Sequence, residues 1–228
     1  MDRFGVIFDW DGVVVDSSRL HVLSWERLAR REGRDVPDTR QLGSLGMKTQ
    51  EVISDLLGWT HDADEAYRLT LDKEDMFRCL ARETGIDSTP GVLDFLRSLK
   101  NLSIPLAVGS SAPRLNIEAA MDVLNARDIF DVVVSGDDVQ NGKPAPDIFL
   151  KAAESIDCRP EDCVVFEDAP AGIAAARAAG MRTVGVLTAY PKDELAEADR
   201  LIGDFTSMSA IEFAAWLTMD ANTVVAAH

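Results

Sequence analysis

Val6-Ile7-Phe8-Asp9-Trp10-Asp11-Gly12-Val13 is the most informative octapeptide in this chain of 228 residues. The run from Phe4 to Phe8 is β-branched and aromatic, the composition of a buried strand, and two carboxylates spaced two residues apart follow it. Side chains alternate along extended backbone, so Asp9 and Asp11 lean one way while Trp10 leans the other. Gly12 then permits a sharp turn. Two acids converging at the C-terminal edge of a parallel strand, where open α/β sheets bind ligands, suit a hard cation and a phosphate. An acidic, solvated loop would give the same letters. The rest of the chain separates the two readings.

Outward from that strand the pattern turns helical. Asp16-Ser17-Ser18 offers an N-cap, Leu20, Leu23, Trp25 and Leu28 alternate with charged residues, and Gly33 supplies a stop. Further helices are predicted over Thr49–Leu57, closed by Gly58, and Asp64–Arg82, closed by Gly85. No strand signal stands out between Val15 and about Ser88. Pro90-Gly91 then opens a helix through Leu99, and strands and helices alternate. Strands are predicted at Ile104–Gly109, Val132–Ser135, Cys163–Phe166 and Thr183–Val186, with helices over Pro113–Leu124, Pro146–Ser155 and Gly172–Ala179. The segment Thr218–His228 lacks strong periodicity and reads as frayed.

Apolar strands unrelieved by polar alternation belong to a parallel sheet covered on both faces. The predicted fold is therefore α/β: a doubly wound, Rossmann-like parallel sheet with an all-helical cap inserted after the first strand. Residues 1–16 and 88–228 form the core in this reading, and residues 17–87 the cap.

Charge excludes some partners. With 39 acids against 23 bases, the formal net charge is −16. Nucleic acid and anionic membranes both require a cationic footprint, so neither is expected as a partner. The same field repels an anionic substrate, which makes local positive charge necessary at any phosphate site. Three widely spaced cysteines, Cys79, Cys158 and Cys163, suggest a reduced, cytoplasmic setting rather than a disulfide framework or a zinc site. No run reads as a signal-peptide core or a bilayer span. A monomer or weak homo-oligomer is expected.

Each later strand ends on polar residues of a useful kind. Leu106-Ala107-Val108-Gly109 runs into Ser110-Ser111, whose hydroxyls and backbone N–H groups can hold phosphate oxygens beside a helix N-terminus. Ser111 can equally be that helix's N-cap. In Gly142-Lys143-Pro144-Ala145-Pro146-Asp147 the lysine sits on stiff, non-helical backbone, which aims its ammonium. Val164-Val165-Phe166-Glu167-Asp168 repeats the opening pattern, with two adjacent acids that repel unless they share a cation. Mg²⁺ suits carboxylate, carbonyl and water ligands.

In chain order, Asp9 and Asp11, Ser110, Lys143, and Glu167 with Asp168 make a set that resembles the haloacid dehalogenase-like hydrolase superfamily. Within it, the chain is most similar to the β-phosphoglucomutase-like phosphatase branch. The resemblance spans the DxDG box, the helical insertion, the strand-end serine, the GKPAPDIF segment and the EDAPAGI segment. It implies Asp9 as a nucleophile that becomes an aspartyl-phosphate, and Asp11 as the group that protonates the leaving alcohol and then activates water. It further implies Ser110 and Lys143 as holders of the phosphoryl oxygens, and Mg²⁺ between Asp9, the Asp11 carbonyl, Asp168 and Glu167.

The substrate implied is a small phosphorylated metabolite, with sugar phosphates foremost. His21 matches a histidine at the cap hinge. Lys73 falls where the mutases keep a lysine for a distal phosphate, and a role as an ordinary solvated lysine competes with that one. Where the mutases carry cations in the cap loop, this chain has Leu45 and Thr49, with Lys48 shifted in register. That favours a phosphatase over a β-phosphoglucomutase-type mutase. Phosphonate hydrolases and dehalogenases lack the second acid, which Asp11 supplies here. A non-catalytic phosphoacceptor or regulatory binding protein is the reading from another class. A receiver domain would lack the cap, and a degenerate module would have lost a catalytic member.

Overall fold

The computed structural model describes residues 4–35 and 49–225, with backbone alone from 218 onward. Its main sheet has six parallel strands: β1 (Gly5–Phe8), β4 (Leu106–Gly109), β5 (Val132–Val134), β6 (Cys163–Glu167), β7 (Arg182–Val186) and β8 (Arg200–Ile202). They lie in the order β5-β4-β1-β6-β7-β8, which puts β1 in the middle and reverses direction there. A ligand cleft belongs at such a reversal, beyond the carboxyl ends of the strands.

Helices α4 (Val92–Asn101), α5 (Arg114–Leu124), α6 (Asp147–Ser155), α7 (Pro170–Ala178) and α8 (Ala210–Val225) follow in chain order after the insertion. Consecutive β1 residues feed opposite apolar layers. Phe8 packs with Phe95, Phe130, Phe166 and Phe205, its ring stacked on Phe166 at 4.7 Å, whereas Ile7 belongs to the layer of Ala107, Phe149 and Val165. Both layers are buried, so the residue after Phe8 stands on well-packed backbone.

The chain leaves and re-enters this core through a two-residue antiparallel ladder of β2 (Val15–Asp16) with β3 (Asp87–Ser88). Between them come α1 (Ser18–Arg31), α2 (Thr49–Glu51) with a π-helical turn at Val52–Leu56, and the long α3 (Ala63–Thr84). Asp62 caps α3 by accepting from the Glu65 N–H at 2.9 Å, and Gly85 ends it. Trp25, Leu28, Val52, Ile53, Ala66 and Leu69 form a separate apolar cluster here. Phe77, Leu80 and Ala81, further along α3, join the main core instead. One helix thus spans two apolar clusters, and the turn between them carries Lys73 and Glu74.

Several expectations need correction. The predicted helix over Thr49–Leu57 becomes π-helical after Glu51, where the Leu57 N–H reaches the Val52 carbonyl, five residues back, at 2.9 Å. β2 and β3 are strands too short to leave a period in sequence. The segment read as frayed continues α8 to Val225. The cap of α5 is Pro113, not Ser111, and Ser17 precedes α1 without a side-chain capping bond. β8 leaves no strand signal because only Leu201 and Ile202 in it are apolar, next to Arg200.

Candidate active site

Asp9 follows β1, Ser110 follows β4, and Glu167 and Asp168 close β6, so parallel register brings all four to one edge. Lys143 arrives from the connection between β5 and α6, through a cis Lys143–Pro144 peptide. Its ammonium donates to Asp9 Oδ1 at 2.8 Å and to Glu167 Oε1 at 2.7 Å, and lies 4.7 Å from the Phe149 ring centre. Glu167 Oε2 also accepts from the Ala169 N–H at 2.7 Å.

Trp10 is buried against Phe130, opposite in sense to the acids beside it, as alternation requires. Gly12 is obligatory on two counts. Its φ is +78°, and a Cβ there would sit 1.9 Å from Asp168 Oδ2. Gly172 performs the same service for Glu167, since a Cβ would fall 1.7 Å from Oε1.

Asp9, Glu167 and Asp168 offer ligand oxygens within 4.8 Å of one another, and all three are buried. Burial raises Asp9 to about 7, against the lowering pull of Lys143 and with a further rise from Glu167. Burial, then the charges of Glu167 and Asp9, push Asp168 to about 9. For Lys143, burial works against its charge, but the Asp9 and Glu167 carboxylates more than reverse this, so it stays an ammonium. One lysine does not balance four neighbouring carboxylates. The donor set, hard oxygens with excess negative charge, fits a divalent cation.

Asp11 differs. Burial raises it, but its polar neighbours His21 and Ser17, together with the charge of Lys73, hold it below the ordinary carboxylate value. His21 Nε2 stands 3.8 Å from Asp11 Oδ1.

These residues line a cleft of about 460 Å³ whose walls include Asp9, Asp11, Ser110, Ser111, Lys143 and Asp168. Lys143 is the only lysine or arginine among its described walls. Lys73 is brought to His21 rather than to the cleft: its Nζ lies 2.9 Å from His21 Nδ1 and 3.1 Å from Glu74 Oε1. Lys48 and Leu45 lie outside the described residues.

Sequence reading missed three contributors. Ser17, in the Asp16-Ser17-Ser18 capping stretch, lines the cleft. Thr188 donates to the Gly12 carbonyl at 2.7 Å and approaches Asp168 Oδ2 at 3.4 Å, and Tyr190 lines the same wall. Both follow β7, and their signal in sequence is a polar residue just past a strand end.

Residues 5–180 match the model of the haloacid dehalogenase-like hydrolase family. The chain belongs to this family. It is 33% identical over 204 residues to validoxylamine A 7′-phosphate phosphatase of Streptomyces hygroscopicus subsp. limoneus, covering 89% of this chain and 94% of that one. It is 35% identical over 211 residues to the chloroplastic 5-amino-6-(5-phospho-D-ribitylamino)uracil phosphatase of Arabidopsis thaliana, covering 91% of this chain but only 56% of the relative's length. Among solved structures, a β-phosphoglucomutase from Clostridium difficile superposes with a TM-score of 0.82 at 25% identity, over 96% of this chain and 99% of the other. Among the described residues, no helix is long and apolar enough to cross a membrane.

Proposed function

We infer that this haloacid dehalogenase-like hydrolase is a Mg²⁺-dependent phosphatase of a small phosphorylated metabolite, with a sugar phosphate as the foremost class. The observation that carries it is the Asp9–Lys143–Glu167–Asp168 cluster at the sheet edge with Asp11 beside it. The phosphatase names of its relatives support the same activity.

Asp9, Asp168, the Asp11 carbonyl and Glu167 would hold Mg²⁺, which supplies the positive charge that lets two anions meet. The Asp9 carboxylate attacks phosphorus as the ester oxygen leaves. Lys143 offsets negative charge on Asp9 and, with Ser110 and Ser111, holds phosphoryl oxygens. Asp11 gives the leaving oxygen its proton, then takes one from the water that hydrolyses the aspartyl-phosphate. We assign residues 17–87 to a cap inserted after the first strand, with the β2–β3 ladder as its stem. The core is then residues 1–16 and 88–228. Cys79, Cys158 and Cys163 form no disulfide among the described residues, which supports a cytoplasmic setting.

Hydrolysis is favoured over a mutase reaction because the described cleft walls offer one cation, enough for one phosphoryl group. Thr49, aligned with a mutase cation, spends its hydroxyl on Glu74 instead. On a panel of hexose and pentose phosphates, phosphate release is expected to outrun interconversion of β-glucose 1-phosphate and glucose 6-phosphate by at least tenfold, with little accumulated phosphoenzyme. Efficient isomerisation that depends on a bisphosphate primer and releases no phosphate would restore the mutase.

Metal binding carries its own expectation. Asp9 and Asp168 titrate higher in the folded chain than unfolded, at about 7 and about 9. Between the unfolded carboxylate range and those values the native state holds more protons, so stability falls as pH rises. Without metal, Tm is expected to drop by about 5 °C or more between pH 5.5 and 8.5. Saturating Mg²⁺ should remove most of that slope, since the cation replaces the protons. A flat profile without Mg²⁺ in differential scanning calorimetry would contradict the proposed cluster.

A further inference from the structure

Glu74 is a buried carboxylate with no part in the chemistry above. It lies 5% exposed beside Lys73, itself 2% exposed, where α3 passes from one apolar cluster to the other. A charge placed there is costly unless fully partnered, and Glu74 is. Oε1 accepts from Lys73 Nζ at 3.1 Å and from Thr49 Oγ1 at 2.5 Å, and Oε2 accepts from Asn116 Nδ2 at 2.5 Å. Asn116, buried on α5, accepts in turn from Arg78 Nη1 at 3.0 Å. Burial raises the Glu74 carboxyl, but the charge of Lys73 and the hydrogen bonds from Thr49 and Asn116 hold it below its ordinary value, so the buried pair stays ionic.

The consequence runs through Lys73 to His21. The Lys73 ammonium lies 5.6 Å from the ring centres of both Trp25 and Phe77, and it has only donors to offer. His21 Nδ1, 2.9 Å away, must therefore accept. The ring proton is left on Nε2, the atom that faces Asp11 at 3.8 Å. The His21 ring is also stacked on Phe77 with centres 4.5 Å apart, so it has little freedom to turn away. Four side chains thus run from a core helix to the cleft: hydrogen bonds join Glu74 to Lys73 and Lys73 to His21, and His21 faces Asp11 at 3.8 Å.

We propose that Glu74 is a positioning residue for the proton-transfer step: by locking Lys73 onto His21 it fixes the Nε2–H tautomer that holds the Asp11 side chain in place. The proposal rests on Asp11 being the acid–base residue. Lys73, in this account, serves the proton donor from within the protein and does not bind a distal substrate group.

Phenyl phosphate and p-nitrophenyl phosphate test it, because they share a shape and differ in how much the leaving oxygen needs a proton. In Glu74→Gln the amide keeps the shape but gives up the charge that anchors Lys73. At one fixed pH, kcat/KM for phenyl phosphate is expected to fall about tenfold, with KM within twofold, while kcat/KM for p-nitrophenyl phosphate changes by less than about threefold. An equal loss for both esters, or none for either, would overturn the proposal, because a merely structural role does not distinguish leaving groups. A second readout does not depend on the variant folding. In the unaltered protein, imidazole ¹⁵N shifts should report protonated Nε2 and unprotonated Nδ1 at His21, and a protonated Nδ1 would also overturn it. Asp11→Asn, run alongside, separates the two levels. If that variant keeps its phenyl phosphate activity, the acid–base assignment itself has failed. If it loses that activity while Glu74→Gln shows no leaving-group effect, only the positioning role has.

Discussion

Asp9→Asn is expected to lower turnover of any phosphate ester by at least about 10⁴-fold, the scale on which removal of a covalent nucleophile acts. Asn has the same shape, so Lys143 still finds the amide oxygen and the stacked Phe8–Phe166 pair beneath is untouched. The loss is therefore chemical, not structural. Stability should move the opposite way. Asp9 sits among Glu167, Asp168 and Asp11, and its charge is unwelcome enough to hold the carboxyl near 7. Removing it takes one repelling charge out of a buried cluster, so the metal-free variant should melt no lower than the parent at pH 8. Beryllium fluoride, which mimics a phosphoryl group on a carboxylate, should bind the parent with Mg²⁺ and fail to bind the variant. Substantial activity in Asp9→Asn would sink the covalent mechanism outright.

Legibility in sequence followed distance along the chain. Asp9, Ser110, Glu167 and Asp168 stand at or directly after strands whose apolar runs are unmistakable, and parallel register then carries them to one edge. Lys143 was readable for another reason: Pro144 and Pro146 stiffen its loop, so a lysine there has a direction. What escaped reading depends on packing between distant segments. Glu74 looks like one more surface charge in the run Asp72-Lys73-Glu74-Asp75, and helical period alone does not say that α5 will cover it. Lys73 was matched to a substrate-binding lysine by position, whereas its neighbours His21 and Glu74 are set by how α1 and α3 pair. Thr188 and Tyr190 lie just beyond the apolar run of β7, where no paired acids or proline-stiffened loop marks them.

Asp11→Asn is expected to slow hydrolysis of alkyl phosphates by about 10²–10⁴-fold, the usual contribution of a positioned proton donor. The resting geometry sets a condition on that role. His21 and Ser17 hold Asp11 below the ordinary carboxylate value, so before substrate arrives it is a carboxylate suited to accept a proton rather than give one. A phosphate dianion entering the cleft adds negative charge beside it and favours the protonated form. The acid is thus created by the substrate's own charge, and the base needed for the second step is restored when phosphate is transferred and the alcohol departs. Metal affinity should scarcely change in Asp11→Asn, within about threefold by calorimetric titration, because the group offered to Mg²⁺ is the backbone carbonyl and Gly12 still sets the turn that presents it. If Mg²⁺ affinity collapsed while single-turnover phosphoryl transfer kept its rate, Asp11 would be a metal ligand through its side chain, and the proton would have to come from elsewhere.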